Sequence, residues 1–374
     1  MQAEMTPEVE GLLRQGAWAV WSVSGGKDSS AAMASTIRLL DEMGHPRDRR
    51  LALHADLGRS EWRSTHAHAQ LVCDRLGVPL EVVRHRTHDM ISRWCRRGDL
   101  GIVRYRNFDT IALFGPWSGS GLLFCRSELK AKILDDRKAM LDGPVVSIVG
   151  LRRQESVKRR STKTSAIDRT LSDRLGMQAV TWNAIAGWTT DEVFAYHDEN
   201  DIPLHEAYGL GSTRLSCAFC VLGSLNDLFV SSQAEQNQEL YRLQVEMEAR
   251  YAFSFQPSRW LGDVAPDLLD QRLTDALGRA KEKAFLRRSI ETDIPETMKF
   301  RKNEIPLLPD MKTAARMAEV RRQVSELHGI DAGHLDARKV IDKMIVVIAK
   351  AETARDRKTK RKTGKASDAG YMFA

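Results

Sequence analysis

The chain has 374 residues, of which 42% are hydrophobic and 29% charged, and a net charge of +7. This balance fits a soluble globular protein of one large domain plus an appendage, and no stretch approaches the ~20 apolar residues of a membrane helix. Acidic Glu4, Glu8 and Glu10 precede Trp18, unlike a secretory signal, and five cysteines make an odd count; a cytoplasmic protein without a disulfide scaffold is expected.

The first half alternates strand and helix signals. Short apolar strands are predicted at 19–23, 51–55, 79–83, 145–149 and 178–182, with helices over 28–43 and 61–76, ended by Gly44-His45-Pro46 and Gly77. This spacing predicts an α/β fold, a parallel sheet of about five strands with helices on both faces. The region 98–125, with several glycines and aromatics, reads as a lid or insertion. Beyond residue 225 the strand signals fade. Helices are predicted over 233–250, over 311–328 with Met317, Val320, Val324 and Leu327 on one face, and over 338–351 with Val340, Ile341, Met344, Ile345 and Ile348. The expected division is a nucleotide-binding domain at 1–224, a helical region at 225–352 and a basic, disordered tail at 353–374. Residues 355–365 (RDRKTKRKTGK) concentrate the positive charge. Such a run is a solvated end or a contact to nucleic acid or another polyanion.

Between the first strand and helix lies Ser24-Gly25-Gly26-Lys27-Asp28-Ser29. Glycines let backbone N–H groups approach an anion, the helix start adds a partial positive charge, and Ser24, Ser29 and Lys27 add donors. Asp28 reads as a Mg²⁺ ligand or a helix cap. Neither G-x-x-x-x-G-K-[ST] nor G-x-G-x-x-G is present. Arginines follow the fourth strand in Gly150-Leu151-Arg152-Arg153-Gln154-Glu155-Ser156-Val157-Lys158-Arg159-Arg160. At the C-terminal end of a strand they point into a ligand crevice, where guanidinium groups clamp phosphate. Arg152 would neutralise charge on departing pyrophosphate, and Glu155 would orient an arginine.

The S-G-G-K-D-S string resembles the pyrophosphate loop of the adenine nucleotide α-hydrolase superfamily, and the chain resembles its phosphoadenosine phosphosulfate (PAPS) reductase-like branch. The 150–160 segment is similar to the branch's G-x-R-x-x-E-S-x-x-R motif. Asp56 and Gly58 match an acidic residue and a glycine near ribose and adenine. A similar run of tryptophan, helix, I-P-x-H-x-x-Y and cysteines spans Trp188 to Cys220. The resemblance covers residues 20–222 and implies nucleotide binding by Ser24, Gly25, Gly26, Lys27, Asp28, Ser29, Asp56, Gly58, Gly150, Arg152, Glu155 and Arg159. Lys27, Asp28 and Arg152 would be catalytic.

It further implies cleavage of ATP, with Mg²⁺, between the α- and β-phosphates. The products are AMP, or an adenylated acceptor, and pyrophosphate. Relatives serve DNA phosphorothioation and type IV CRISPR systems, which implies a nucleic acid or nucleoprotein partner for the tail. Two other readings stand beside this one: a nucleotide-binding module without turnover, and a sulfonucleotide reductase. True PAPS reductases carry a catalytic cysteine in a short E-C-G-[IL]-H motif near the C-terminus, and here no cysteine follows Cys220. Cys217 and Cys220 form a C-x-x-C pair. With Cys125 and a fourth ligand from Cys73, Cys95 or His205 they would hold a [4Fe–4S] cluster or Zn²⁺; the alternative is three reduced thiols.

Overall fold

The computed structural model describes residues 1–119, 121–300 and 304–369, with 358–369 as backbone. It contains two compact units: Met1–Arg93 with Ser118–Gln244 and Arg259–Leu269, and Trp94–Trp117 with Val245–Ser258 and Asp270–Ala374. The division therefore differs from a cut at residue 224. Residues 94–117 leave the sheet unit, and 225–244 with 259–269 stay in it.

The first unit is built on a six-stranded sheet: β1 Trp18–Ser22, β2 Arg50–Asp56, β3 Leu80–Arg84, β4 Val145–Val149, β5 Ser165–Ile167 and β6 Ala179–Trp182, in the order β3-β2-β1-β4-β6-β5. All pairings are parallel except β5 with β6. The five predicted strands are present within a residue or two of their predicted bounds. The sixth, β5, is a three-residue edge strand added beside β6. Central strands that are covered on both faces need apolar residues at nearly every position. β1, β2 and β4 show it, with buried runs such as Ala19-Val20-Trp21 and Leu51-Ala52-Leu53. Trp21, Met33, Leu40, Ile148 and Trp182 fill one face, and Val20, Leu53, Val145 and Leu171 the other.

Helix α1 (Pro7–Arg14) is capped by Thr6, and α2 (Lys27–Glu42) leaves the end of β1 directly. Thr36 on α2 accepts a hydrogen bond from the Trp21 indole at 2.8 Å, pinning the helix to its strand. From β1 the chain crosses to β2 on one side, and it later enters β4 on the other. β1 is thus the point where the strand order reverses, and a crevice opens at the carboxyl ends of β1 and β4. Ser22 stands in register with Val149, so the loops that follow the two strands begin level with each other.

The second unit is helical. Its core gathers Tyr105, Phe108, Ile111, Met317, Val320, Val324, Val340 and Met344. These come from helices Met90–Arg106, Met311–His328 and Ala337–Ala369 and the segment after residue 106. The predicted apolar faces are borne out at Met317, Val320, Val324, Val340 and Met344, whereas Ile345 is exposed. Helix Ala337–Ala369 runs through much of the segment expected to be disordered, whose Ala, Lys and Arg content favours helix. Residues 370–374 lie outside the described residues. Among the described residues no helix is long and apolar enough to cross a membrane.

Candidate nucleotide site

The loop after β1 turns on Gly25, whose φ of +73° is the left-handed conformation that glycine adopts without strain. Gly26 caps α2 from an extended backbone and has no side chain to obstruct the helix start. Ser29 braces the loop: its hydroxyl donates to the Gly26 carbonyl at 2.8 Å and accepts from the Ser24 amide at 3.2 Å. The Ser24 and Ser29 hydroxyls lie 3.2 Å apart, and both border the crevice.

Gly150, at the end of β4, is where the two loops meet. A Cβ built there would lie 2.4 Å from the Asp28 carbonyl oxygen and 2.6 Å from the Ser29 nitrogen. Both obstacles are backbone, so only glycine lets β4 approach the start of α2 so closely.

Lys27, Asp28 and Arg152 come together, but their arrangement differs from a row of phosphate ligands. Arg152 donates from Nε to Asp28 Oδ1 at 2.6 Å, and Lys27 Nζ reaches Asp28 Oδ2 at 3.3 Å. Both cations are 3% exposed, and neither lines the crevice. The Lys27 ammonium lies 5.4 Å from the Tyr208 ring and 5.5 Å from that of Phe194, and donates to the Thr213 carbonyl at 3.4 Å. Arg152 is further tied to Gln154 at 3.0 Å and Thr190 at 3.2 Å. The cluster has two cations around one carboxylate, which leaves one positive charge behind the loop. Asp28, with each oxygen given to a cation, does not fit the role of a protein-held Mg²⁺ ligand.

The crevice is a cavity of about 370 Å³ bordered by Ser24, Gly26, Asp28, Ser29, Gly150, Glu155, Ser156, Arg159, Tyr208, Arg214, Leu215 and Leu222. Its cationic side chains are Arg159 and Arg214. Glu155 holds Arg159 in an ion pair and accepts from the Arg152 amide at 2.9 Å. Tyr208 joins the walls: its oxygen accepts from the Lys27 amide at 3.0 Å and the Leu215 amide at 3.2 Å. Burial pushes the Tyr208 phenol up to about 12, so it stays protonated.

Asp56 and Gly58 do not border the cavity. The Asp56 carboxylate accepts from the Gly58 amide at 2.6 Å and closes the turn after β2, and Gly58 (φ +67°) packs against Asp89, which is ion-paired with Arg59. Tyr208 and Arg214, two further residues of the cavity, lie inside the run from Trp188 to Cys220. The tyrosine of I-P-x-H-x-x-Y and an arginine three residues before C-x-x-C were the available signals.

The cysteines form no metal centre. Cys217 lies 3.9 Å from the Ser60 hydroxyl, and Cys220 accepts from the Leu222 amide at 3.5 Å and lies 3.9 Å from Arg214. Burial pushes the Cys217 thiol up to about 12, and the nearby Cys220 and Cys125 add to the shift. Among the described residues no group of three or more His, Cys, Asp or Glu side chains is placed to hold a metal ion. The expected [4Fe–4S] or Zn²⁺ set of Cys125, Cys217 and Cys220 is thus not assembled among the described residues, and Cys73, a candidate fourth ligand, is buried in the sheet core.

The family described as phosphoadenosine phosphosulfate reductase domain matches residues 19–222. No curated protein matches the chain. Among solved structures, the phosphate complex of phosphoadenylyl-sulfate (PAPS) reductase from Candida auris is similar at 13% identity and a TM-score of 0.36, covering 58% of this chain and 98% of that one.

Proposed function

Since the chain belongs to the phosphoadenosine phosphosulfate reductase domain family, we propose that its cavity binds ATP and cleaves it between the α- and β-phosphates. The observation that carries this reading is the cavity at the β1/β4 switch point, bordered by a serine–glycine loop and by Arg159 and Arg214. The Ser24 hydroxyl and the start of α2 hold the phosphates, while Ser29 braces the loop. Arg159 and Arg214 take up the charge that grows on the leaving pyrophosphate. Asp28, Arg152 and Lys27 act from behind: the carboxylate fixes both cations, and their surplus charge raises the potential at the loop. Water or another acceptor attacks the α-phosphorus, the bond from that phosphorus to the α,β-bridging oxygen breaks, and pyrophosphate leaves with the electron pair. The nucleotide brings its own Mg²⁺.

A second reading, sulfonucleotide reduction, is favoured by the description of the matched family. Incubation with ATP·Mg²⁺ and separately with PAPS plus reduced thioredoxin separates the two. AMP and pyrophosphate from ATP support the first; sulfite from PAPS supports the second. ADP with phosphate sinks α-cleavage, and tight ATP binding without products makes the domain a binding module.

A further inference from the structure

Charge is divided unequally between the two units. Counting Lys and Arg against Asp and Glu gives −2 for the sheet unit and +9 for the helical unit, which together make the chain's +7. An asymmetry of this size points to a polyanionic partner for the basic unit. The excess is not confined to residues 355–365. In the helical unit a groove of about 490 Å³ runs between residues 246–250 and helix Gln271–Glu291, and Arg250, Arg272, Arg279 and Lys283 line it against the single acid Glu246.

Arg272, Ala276, Arg279 and Lys283 are spaced by four, three and four residues, so they share one face of the helix. At ~1.5 Å per residue this stripe is about 16 Å long. Arg272 is paired with Glu246 at 3.4 Å and Arg250 with Asp99 at 2.9 Å, both in exposed pairs that contribute little and exchange readily for a stronger anion. Arg279 and Lys283 are exposed, with no carboxylate partner among the described residues. Between the cations the lining is apolar, with Ala249, Leu273, Ala276 and Ala280, and three of these four are small enough to leave room for a sugar-phosphate chain. No aromatic ring lines the groove, so it has no platform for stacking bases.

We infer that this groove binds the sugar-phosphate backbone of a single nucleic acid strand without regard to sequence. The charge of the whole unit draws the strand in, and the Arg272–Lys283 stripe holds its phosphates.

Fluorescence anisotropy of the full chain with a labelled single-stranded DNA of about 20 nucleotides, over a salt series, tests this. The Arg279→Glu/Lys283→Glu double variant should bind at least tenfold more weakly. Its plot of log affinity against log salt should be shallower by about 1.4, for two lost phosphate contacts. The charge-conserving Arg279→Lys/Lys283→Arg variant should bind like the parent. Equal affinity and slope for parent and Glu variant would place binding elsewhere, in residues 355–365 first of all, and overturn the assignment. So would loss of binding in the charge-conserving variant, no binding by the parent at about 50 mM salt, or displacement of the strand by poly-glutamate as readily as by unlabelled DNA.

Discussion

Both units bury arginines, and Arg152 and Arg321 differ in their partners. In the sheet unit Arg152 meets a carboxylate, Asp28, at the wall of a cavity. In the helical unit Arg321 has no carboxylate partner among the described residues: its guanidinium donates to the carbonyls of Gly333 at 2.8 Å, of Arg106 at 2.7 Å and of Tyr105, and lies 4.7 Å from the rings of Tyr105 and Phe108. Burial lowers the Arg321 pKa, the sign of a charge held for structure at a desolvation cost. A buried charge therefore does not by itself mark a site. What sets Arg152 apart is a carboxylate partner that touches open space and a glycine loop across from it.

The sharpest way to break this contrast is Gly150→Ala. The added Cβ meets backbone of Asp28 and Ser29, which cannot swing aside as a side chain would. A loss of about 3 kcal/mol in denaturant titration is expected, together with loss of ATP binding by calorimetry. Next in size is Asp28→Asn, which leaves Arg152 and Lys27 buried without their counter-charge. A loss of about 2–3 kcal/mol, and AMP formation down about 100-fold, is expected. Activity that survives in a folded Asp28→Asn protein would remove the proposed electrostatic role.

Arg321→Met is the matching test in the other unit. It strips donors from three carbonyls and removes two cation–π contacts, for about 2 kcal/mol. AMP formation per folded molecule should stay at the parental value; a fall in it would mean that this arginine does more than hold its unit together. Arg159→Ala should be milder on folding, because the side chain and its Glu155 partner both retain access to water. A fall in kcat of about tenfold, with KM less affected, is expected for a contact that strengthens as charge grows on the leaving pyrophosphate.

The same contrast shows how far the sequence could be read. Five strands were legible because each is a short apolar run bounded by turn residues, and the loop was legible because Gly25, Gly26, Ser24 and Ser29 are consecutive. β5 was not: Ser165-Ala166-Ile167 has half-exposed and exposed positions only and follows a basic stretch, so no apolar period marks it. The inward turn of Lys27 was not legible either, because it depends on Tyr208 and Thr213, more than 180 residues away. Nor was the transfer of residues 94–117 to the helical unit, whose cause is packing of Tyr105, Phe108 and Ile111 with residues beyond 290. The Cys217–Cys220 pair misled for the opposite reason: a local spacing suggested a ligand set that the fold does not complete.

The smallest expected effect compares the units through acid. Each unit holds a histidine whose pKa burial lowers from 6.5 to about 4: His205 in the sheet unit and His328 in the helical unit. In the fold each ring prefers to be neutral; unfolded, each takes a proton near 6.5. The stability each contributes is therefore complete above pH 6.5 and declines as pH falls from there toward 4. His205 also accepts from the Ala207 amide at 3.1 Å, capping the turn Glu206–Gly209, and its other nitrogen lies 3.1 Å from the Ser64 hydroxyl. His205→Gln retains an acceptor for the cap and removes the titration. The melting temperature of this variant should fall less between pH 6.5 and 4.5 than that of the parent, and His328→Gln should remove a separate part of the same slope. A slope that survives both substitutions would mean that the acid sensitivity comes from groups other than these two imidazoles.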